Sequence, residues 1–239
     1  MKEVMNLTFK IFGHRGYPVR FPENSLEGFR YVATHGIYGA ETDVQRTKDE
    51  QLVIMHDEWI DRTTNGRGMI KDYTLEELRE FRLANGEPIP TLAEFLAVFV
   101  DTDIQIDIEF KTSFNRYLGI EAQTQRMVER AGLAQQTLYC SFNPDSLLEI
   151  HNIAPQMERA LLVELPELPD WGRIHGIVDS LHTHQYLPDI QIPQRIWSVD
   201  DPKQMRAQLH LPYVDGLITN RFELAKDMVE REERLMRDV

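Results

Sequence analysis

The chain has 239 residues, 42% hydrophobic and 27% charged, with 39 Asp+Glu against 26 Lys+Arg and a formal net charge of −13. This composition supports a substantial core and excludes the low-hydrophobicity disordered class. The acidic surplus also makes the chain a poor non-specific ligand for nucleic acid or anionic membrane.

Cys140 is the only cysteine, so an intramolecular disulfide is impossible. The segment Met1–Lys10 lacks the apolar stretch of a signal peptide, and no run reaches the roughly 20 apolar residues of a membrane span. A cytoplasmic protein without stable membrane insertion is the expectation.

Taken in chain order, a β-rich run at Thr8–Phe12 leads into Gly13-His-Arg-Gly16. Ser25 then caps a helix over 26–35 that stops at Gly36. A second strand at Ala40–Val44 is followed by the polar turn Thr47–Glu50 and by Gln51–His56, which reads as a hairpin partner. Residues 57–91 are a polar excursion, long enough for a short lid over one end of the fold. Thr74-Leu-Glu-Glu77 and Thr91-Leu-Ala-Glu94 have the form of capping boxes. After the second box, Leu92, Phe95, Leu96 and Phe99 share one helix face. Further strands are expected at Ile104–Phe110, Thr137–Phe142, Arg159–Val163, Ile177–His182, Arg195–Val199 and Val214–Thr219. Asn143-Pro144 opens a helix, and the charged tail Glu230–Val239 reads as an exposed helix end. Strand and helix alternate throughout, so the expectation is one domain over 1–239 forming a closed (β/α)8 TIM barrel, an α/β fold. An open doubly wound sheet is the runner-up.

Barrels of this kind carry chemistry at the C-terminal ends of their strands. There the second strand holds Glu41 and Asp43, which share a face because side chains alternate. In Ile104-Gln-Ile-Asp-Ile-Glu-Phe-Lys111 the isoleucines fill one face and Gln105, Asp107, Glu109 and Lys111 the other. Inward carboxylates are costly when unpaired. Either one hard divalent cation, Mg2+ or Ca2+, meets Glu41, Asp43 and Glu109, or Arg and Lys pair with them in a structural network. His14 and His56 sit beside these acids and suit proton transfer, with His182 and His184 in reserve. Arg15 and Lys111 bring fixed positive charge that suits phosphate.

The assembled pieces resemble the glycerophosphodiester phosphodiesterase family. They are Gly13-His-Arg-Gly16, Pro22-Glu-Asn-Ser25, Glu41-Thr-Asp43-Val44, Leu52-Val-Ile-Met-His-Asp57, Arg62-Thr-Thr-Asn-Gly66, Ile89-Pro-Thr-Leu92, Ile108-Glu-Phe-Lys111, Ser141-Phe-Asn143 and Val214-Asp-Gly-Leu-Ile-Thr219. The resemblance implies a (β/α)8 barrel that hydrolyses small-molecule glycerophosphodiesters to sn-glycerol 3-phosphate and an alcohol. By position it implies Glu41, Asp43 and Glu109 as metal ligands, His14 and His56 as acid and base, and Arg15 and Lys111 as phosphate contacts. Glu23 and Asn24 would organise the loop near the metal, and Phe142 and Trp197 would pack against glycerol carbons, with core packing the alternative for Trp197. Thr219-Asn220-Arg221 departs from the family, which usually has Thr-Asp there, and puts Arg221 near the rim. The rival readings are a lysophospholipid-type phosphodiesterase releasing a cyclic phosphate and a non-catalytic glycerophosphate-binding barrel.

Overall fold

The computed structural model describes residues 9–164 and 171–237. Thr8 of the first expected strand, most of the N-terminal segment and the last two residues of the charged tail lie outside them. The strands are β1 (Lys10–Gly13), β2 (Gly39–Arg46), β3 (Leu52–Ile54), β4 (Gln105–Phe110), β5 (Thr137–Ser141), β6 (Glu158–Val163), β7 (Ser180–Thr183), β8 (Gln194–Trp197) and β9 (Val214–Thr219). Eight of them run parallel, and because β1 pairs with both β9 and β2, the sheet closes. The (β/α)8 barrel expected from alternation is thus the observed fold. The ninth strand, β3, is the hairpin partner: it runs antiparallel to β2 with Val44 opposite Ile54.

Helices between the strands form an outer layer: α1 (Leu26–Thr34), α2 (Leu75–Leu78), α3 (Leu92–Phe99), α4 (Ile120–Arg130), α5 (Pro144–Ile153), α6 (Trp171–Ile174), α7 (Pro202–Gln208) and α8 (Phe222–Arg237). Their starts follow from local chemistry. The Ser25 hydroxyl accepts from Gly28 N–H at the head of α1. Both Thr-x-x-Glu segments form reciprocal capping boxes, at α2 and α3. Asn143 caps α5 with Pro144 in its first turn. Each such cap satisfies backbone N–H groups that the helix itself leaves unpaired.

The main apolar layer lies between barrel and helices. Phe29 of α1 meets Phe95 of α3 edge to face with ring centroids 4.6 Å apart, and Phe95 meets Phe99 at 5.1 Å; all three are fully buried. Inside the barrel, Phe12, Leu138 and Ile218 form a smaller cluster. Gly39 is required beside it, since a Cβ there would fall 2.4 Å from the Phe12 ring. Residues 57–91 are more than a polar loop. Ile60, Ile70, Leu78, Leu83 and Ile89 pack with Val53 and Met55 into a core of their own.

One strand begins later than its apolar run. Ile177 and Val178 are bonded through their N–H groups to Ile174 O at the end of α6, and β7 starts only at Ser180. Their hydrophobicity reflects packing beside Leu161 and Leu181 rather than extended backbone.

Phe95→Ala would open a cavity at the centre of the α1–α3 contact. The expected cost is about 3–5 kcal/mol, read as a lower urea midpoint with an unchanged m-value.

Candidate active site

The C-terminal ends of β1, β2 and β4 converge on one point. The ladder of β1 continues one residue further, His14 N–H donating to Thr219 O at 3.0 Å. The chain then turns sharply; a Cβ on Gly13 would meet Gly16 O at 2.5 Å. Arg15 adopts a left-handed φ of 52°, and its N–H donates to Glu41 Oε2 at 2.9 Å. The register of β2 against β4 sets Asp43 directly opposite Glu109. Oxygens of Glu41, Asp43 and Glu109 therefore lie within 4.8 Å of one another, with the residues only 4%, 0% and 6% exposed.

Two cations face these three acids. Lys111 Nζ lies 2.9 Å from Glu109 and 3.8 Å from Asp43; Arg15 Nε lies 3.5 Å from Asp43, while its Nη1 bonds Glu23 at 3.0 Å. Burial pushes the Glu41 carboxyl well above the usual range, and the neighbouring Asp43 adds to that. Burial likewise raises Glu109 despite Lys111. For Asp43, burial is outweighed by Arg15, His56 and Lys111, which hold it below the ordinary value. Asn24 Nδ2 donates to Asp43 Oδ2 at 2.8 Å and its Oδ1 accepts from Thr42, so Asn24 does organise this point. Asp43 Oδ1, however, is buried with no hydrogen-bond partner. A clustered all-oxygen donor set with an orphaned oxygen and disfavoured negative charge fits a hard divalent cation.

The two histidines flank the carboxylates. His14 Nε2 is 3.9 Å from Glu41 Oε2, and burial, with Arg15 beside it, lowers its pKa to about 4. His56 Nδ1 lies 2.6 Å from Asp57 Oδ1. Asp57 is itself gripped by Arg62, through Nε at 2.6 Å and Nη2 at 2.9 Å, which holds its carboxyl down at about 2. Arg62 also forks onto Glu23 with two bonds of 2.7 Å, and Glu23 in turn holds Arg15. The buried Gln45 amide donates to the carbonyls of Met55, His56 and Asp57 at 3.0, 3.1 and 2.7 Å, pinning the turn that carries His56. Gln45 and Arg62 were not singled out from the sequence; for Arg62 the only signal was its place in the Arg62–Gly66 block.

His14, Arg15, Glu41, His56, Glu109, Lys111, Phe142 and Trp197 all line one cavity of about 370 Å³, with Asp43 buried behind them. Phe142 and Trp197 form its apolar wall, edge to face at 5.8 Å, and the Trp197 indole N–H donates to His182 O. Trp197 also packs on the barrel interior, so wall and core roles coincide. Arg221 is exposed and borders a second, outer opening that shares His14 and Arg15 with the first.

A model of the glycerophosphoryl diester phosphodiesterase family matches residues 14–224. The chain belongs to that family. It is 33% identical to the glycerophosphodiester phosphodiesterase of Bacillus altitudinis over 88% of this chain and 94% of the relative. It is 31% identical to that of Caldanaerobacter subterraneus subsp. tengcongensis over 92% and 98%. The crystal structure of a glycerophosphodiester phosphodiesterase from Parabacteroides distasonis matches with a TM-score of 0.81 at 28% identity, covering 93% of this chain and 97% of that one.

A second polar group lies beneath the carboxylate trio. Asp107, Cys140 and His182 are fully or almost fully buried within 4.8 Å of one another. Asp107 shares a strand face with Glu109, yet it sits one layer deeper, opposite Glu41 in the register. His182 Nε2 faces Arg195 Nη1 at 3.3 Å and accepts from it, since a guanidinium can only donate; Nδ1 lies 3.3 Å from Asp107 Oδ2, but neither of these two atoms makes a hydrogen bond. The trio is a buried polar cluster whose His182 meets Arg195, itself anchored to Glu158 at 2.6 Å. Burial raises Asp107 to about 7. His184, the other reserve histidine, has its ring 5.2 Å from Trp197 and no place among the carboxylates.

Because burial raises Glu41 and Glu109, the metal-free site holds protons that a cation must displace. Raising the pH ionises these groups, so apparent Mg2+ or Ca2+ affinity is expected to increase between pH 5 and 8, with proton release on binding. Calorimetric titrations in two buffers of different ionisation enthalpy measure that release directly.

Proposed function

We propose that this protein hydrolyses glycerophosphodiesters to sn-glycerol 3-phosphate and an alcohol, using one divalent cation, Mg2+ or Ca2+, held by Glu41, Asp43 and Glu109. The observation that carries this reading is the meeting, at one barrel mouth, of an under-neutralised carboxylate trio with two histidines and two cations beside an apolar wall. Family membership and full-length relatives with that name support it. When bound, the cation supplies positive charge to a phosphate oxygen. Every other element of the mechanism resides in the chain.

Arg15 and Lys111, placed around the carboxylates, take up the phosphate charge that grows as the diester is cleaved. Phe142 and Trp197 pack against the glycerol carbons and exclude water from that side. His14, kept neutral by burial and Arg15, accepts at Nε2 a proton of the attacking water, whose oxygen stays on the phosphate of sn-glycerol 3-phosphate as the bond to the leaving alkoxide breaks. His56, whose Nδ1 proton is directed at the Asp57 carboxylate, delivers a proton to the departing alkoxide. Its Nε2 is the nitrogen left for that transfer. Gln45, Asp57 and Arg62 hold the His56 turn in place. The free, buried thiol of Cys140 is in keeping with work in the reducing cytoplasm.

Metal-stripped and metal-restored protein should be compared on glycerophosphocholine, glycerophosphoethanolamine and glycerophosphoglycerol, with glycerol 3-phosphate as the detected product. Cation-dependent release from at least one is expected, and none from all three overturns the reading. Glu109→Gln should weaken cation affinity at least about 10-fold. His14→Ala should lower kcat by about 100-fold or more while retaining the cation.

With the cation kept saturating, the acid limb of kcat/KM is expected well below pH 6, because neutral His14 is the active form and persists down to about pH 4. A limb with its midpoint at 6.5 or above would remove His14 from the role of base.

A further inference from the structure

His14 is held from behind by a relay that its own sequence neighbourhood does not contain. Its Nδ1 lies 2.9 Å from Asn220 Oδ1 and, more loosely, 3.4 Å from Ser198 Oγ. A carboxamide is two-sided: turned one way it accepts from the ring, turned the other way it donates to it and would impose the opposite tautomer. The choice is made one residue further back. Asn220 Nδ2 lies 2.6 Å from Asp200 Oδ2, and Asp200 Oδ1 accepts from the Asn220 N–H and the Thr219 hydroxyl, each at 2.9 Å.

A carboxylate only accepts. Asn220 must therefore turn its NH2 toward Asp200 and its carbonyl toward His14. A carbonyl also only accepts, so His14 carries its proton on Nδ1, and Nε2, the nitrogen on the Glu41 side, is left with a bare lone pair.

We propose that Asp200 and Asn220 are positioning residues that set the tautomer and ring orientation of His14, so that its Nε2 lone pair faces the reacting phosphodiester. This rests on the role given to His14 above. The two residues come from different strand ends, Asp200 beyond β8 and Asn220 directly after β9. The amide in the middle also has an electrostatic sense. It transmits the orienting effect of a carboxylate while keeping that negative charge one residue away from an imidazole already beside Glu41.

The relay can be taken apart and rebuilt. Asn220→Asp sets two carboxylates against each other where a 2.6 Å bond now stands, and Asp200→Asn presents an NH2 to Asn220 in place of an acceptor, favouring the reversed Asn220 amide. Exchanging both, Asp200→Asn with Asn220→Asp, restores every bond: the carboxylate at 220 accepts from His14 and from the amide at 200, whose oxygen still accepts from the 220 N–H and Thr219. Each single change is expected to lower kcat about 10–100-fold with little effect on KM or cation affinity, and the double exchange to return kcat to within about five-fold of the parent.

The direct readout is independent of activity. In protein carrying 15N-histidine, His14 should show a protonated Nδ1 and an unprotonated Nε2, and Asp200→Asn, whose NH2 would face Asn220 and turn that amide round, should shift His14 toward the Nε2-protonated tautomer. An Nε2-protonated His14 in the parent overturns the proposal even if the enzyme is active. The expected tautomer sustains it even if none of the diesters is cleaved, because then the functional reading alone has failed. A folded double exchange no faster than the single variants also overturns it. If the double exchange does not fold, the parent's tautomer decides.

Discussion

The governing constraint in this molecule is electrostatic: three carboxylates are taken out of water within 4.8 Å of one another, and among the described residues the cations paired with Asp43 and Glu109 are Arg15 and Lys111. Taking an ion out of water costs several kcal/mol, and a like charge alongside adds to that. The chain does not relieve the conflict by exposing the acids or spacing them apart. It meets the conflict in part, through Arg15, Lys111 and the Asn24 amide, and leaves Asp43 Oδ1 unbonded. What remains is an under-neutralised acidic cluster that fits a further positive charge, inside a chain of net charge −13.

The rest of the fold serves to hold that conflict in position. The closed ladder puts Asp43 opposite Glu109 through backbone hydrogen bonds, so neither acid can retreat without breaking the sheet. The aromatic layer of Phe29, Phe95 and Phe99 fixes α1 and α3 against the barrel. The 57–91 excursion, with a core of its own, carries Arg62 to the rim, where one guanidinium ties Asp57 to Glu23 and so links the His56 turn to the Arg15 turn. Beneath the site, Arg195, His182 and Asp107 stack as a buried polar column in the barrel interior.

Much of this could be read from the residues. Alternation of β-rich runs with capped helices indicated the closed barrel, because each Thr-x-x-Glu box and the Asn143-Pro144 start is a local device. The Glu41-Thr-Asp43 spacing and the polar face of β4 likewise located the acids. Register was not legible. Alternation alone cannot say that Glu109 stands level with Asp43 while Asp107, on the same face, lies one layer down beside His182. Nor could spacing reveal partners distant in the chain. Asn220 meets His14 across 206 positions, Arg62 meets Glu23 across 39, and Gln45 looked like an ordinary strand residue until its amide was seen bonded to three carbonyls. The apolar run at Ile177–Val178 was read as strand because burial and extension leave the same mark on composition.

The central claim, that the carboxylate trio is a cation site and not a structural salt-bridge network, is tested most directly by the stability of Glu41→Gln with and without divalent cation. The amide keeps an acceptor for the Arg15 N–H but removes the charge that burial disfavours. The account predicts that metal-free Glu41→Gln melts at a higher temperature than the metal-free parent, and that Mg2+ or Ca2+ raises the Tm of the parent but not that of the variant. A metal-free variant that melts below the parent, with a parent indifferent to cation, would contradict it.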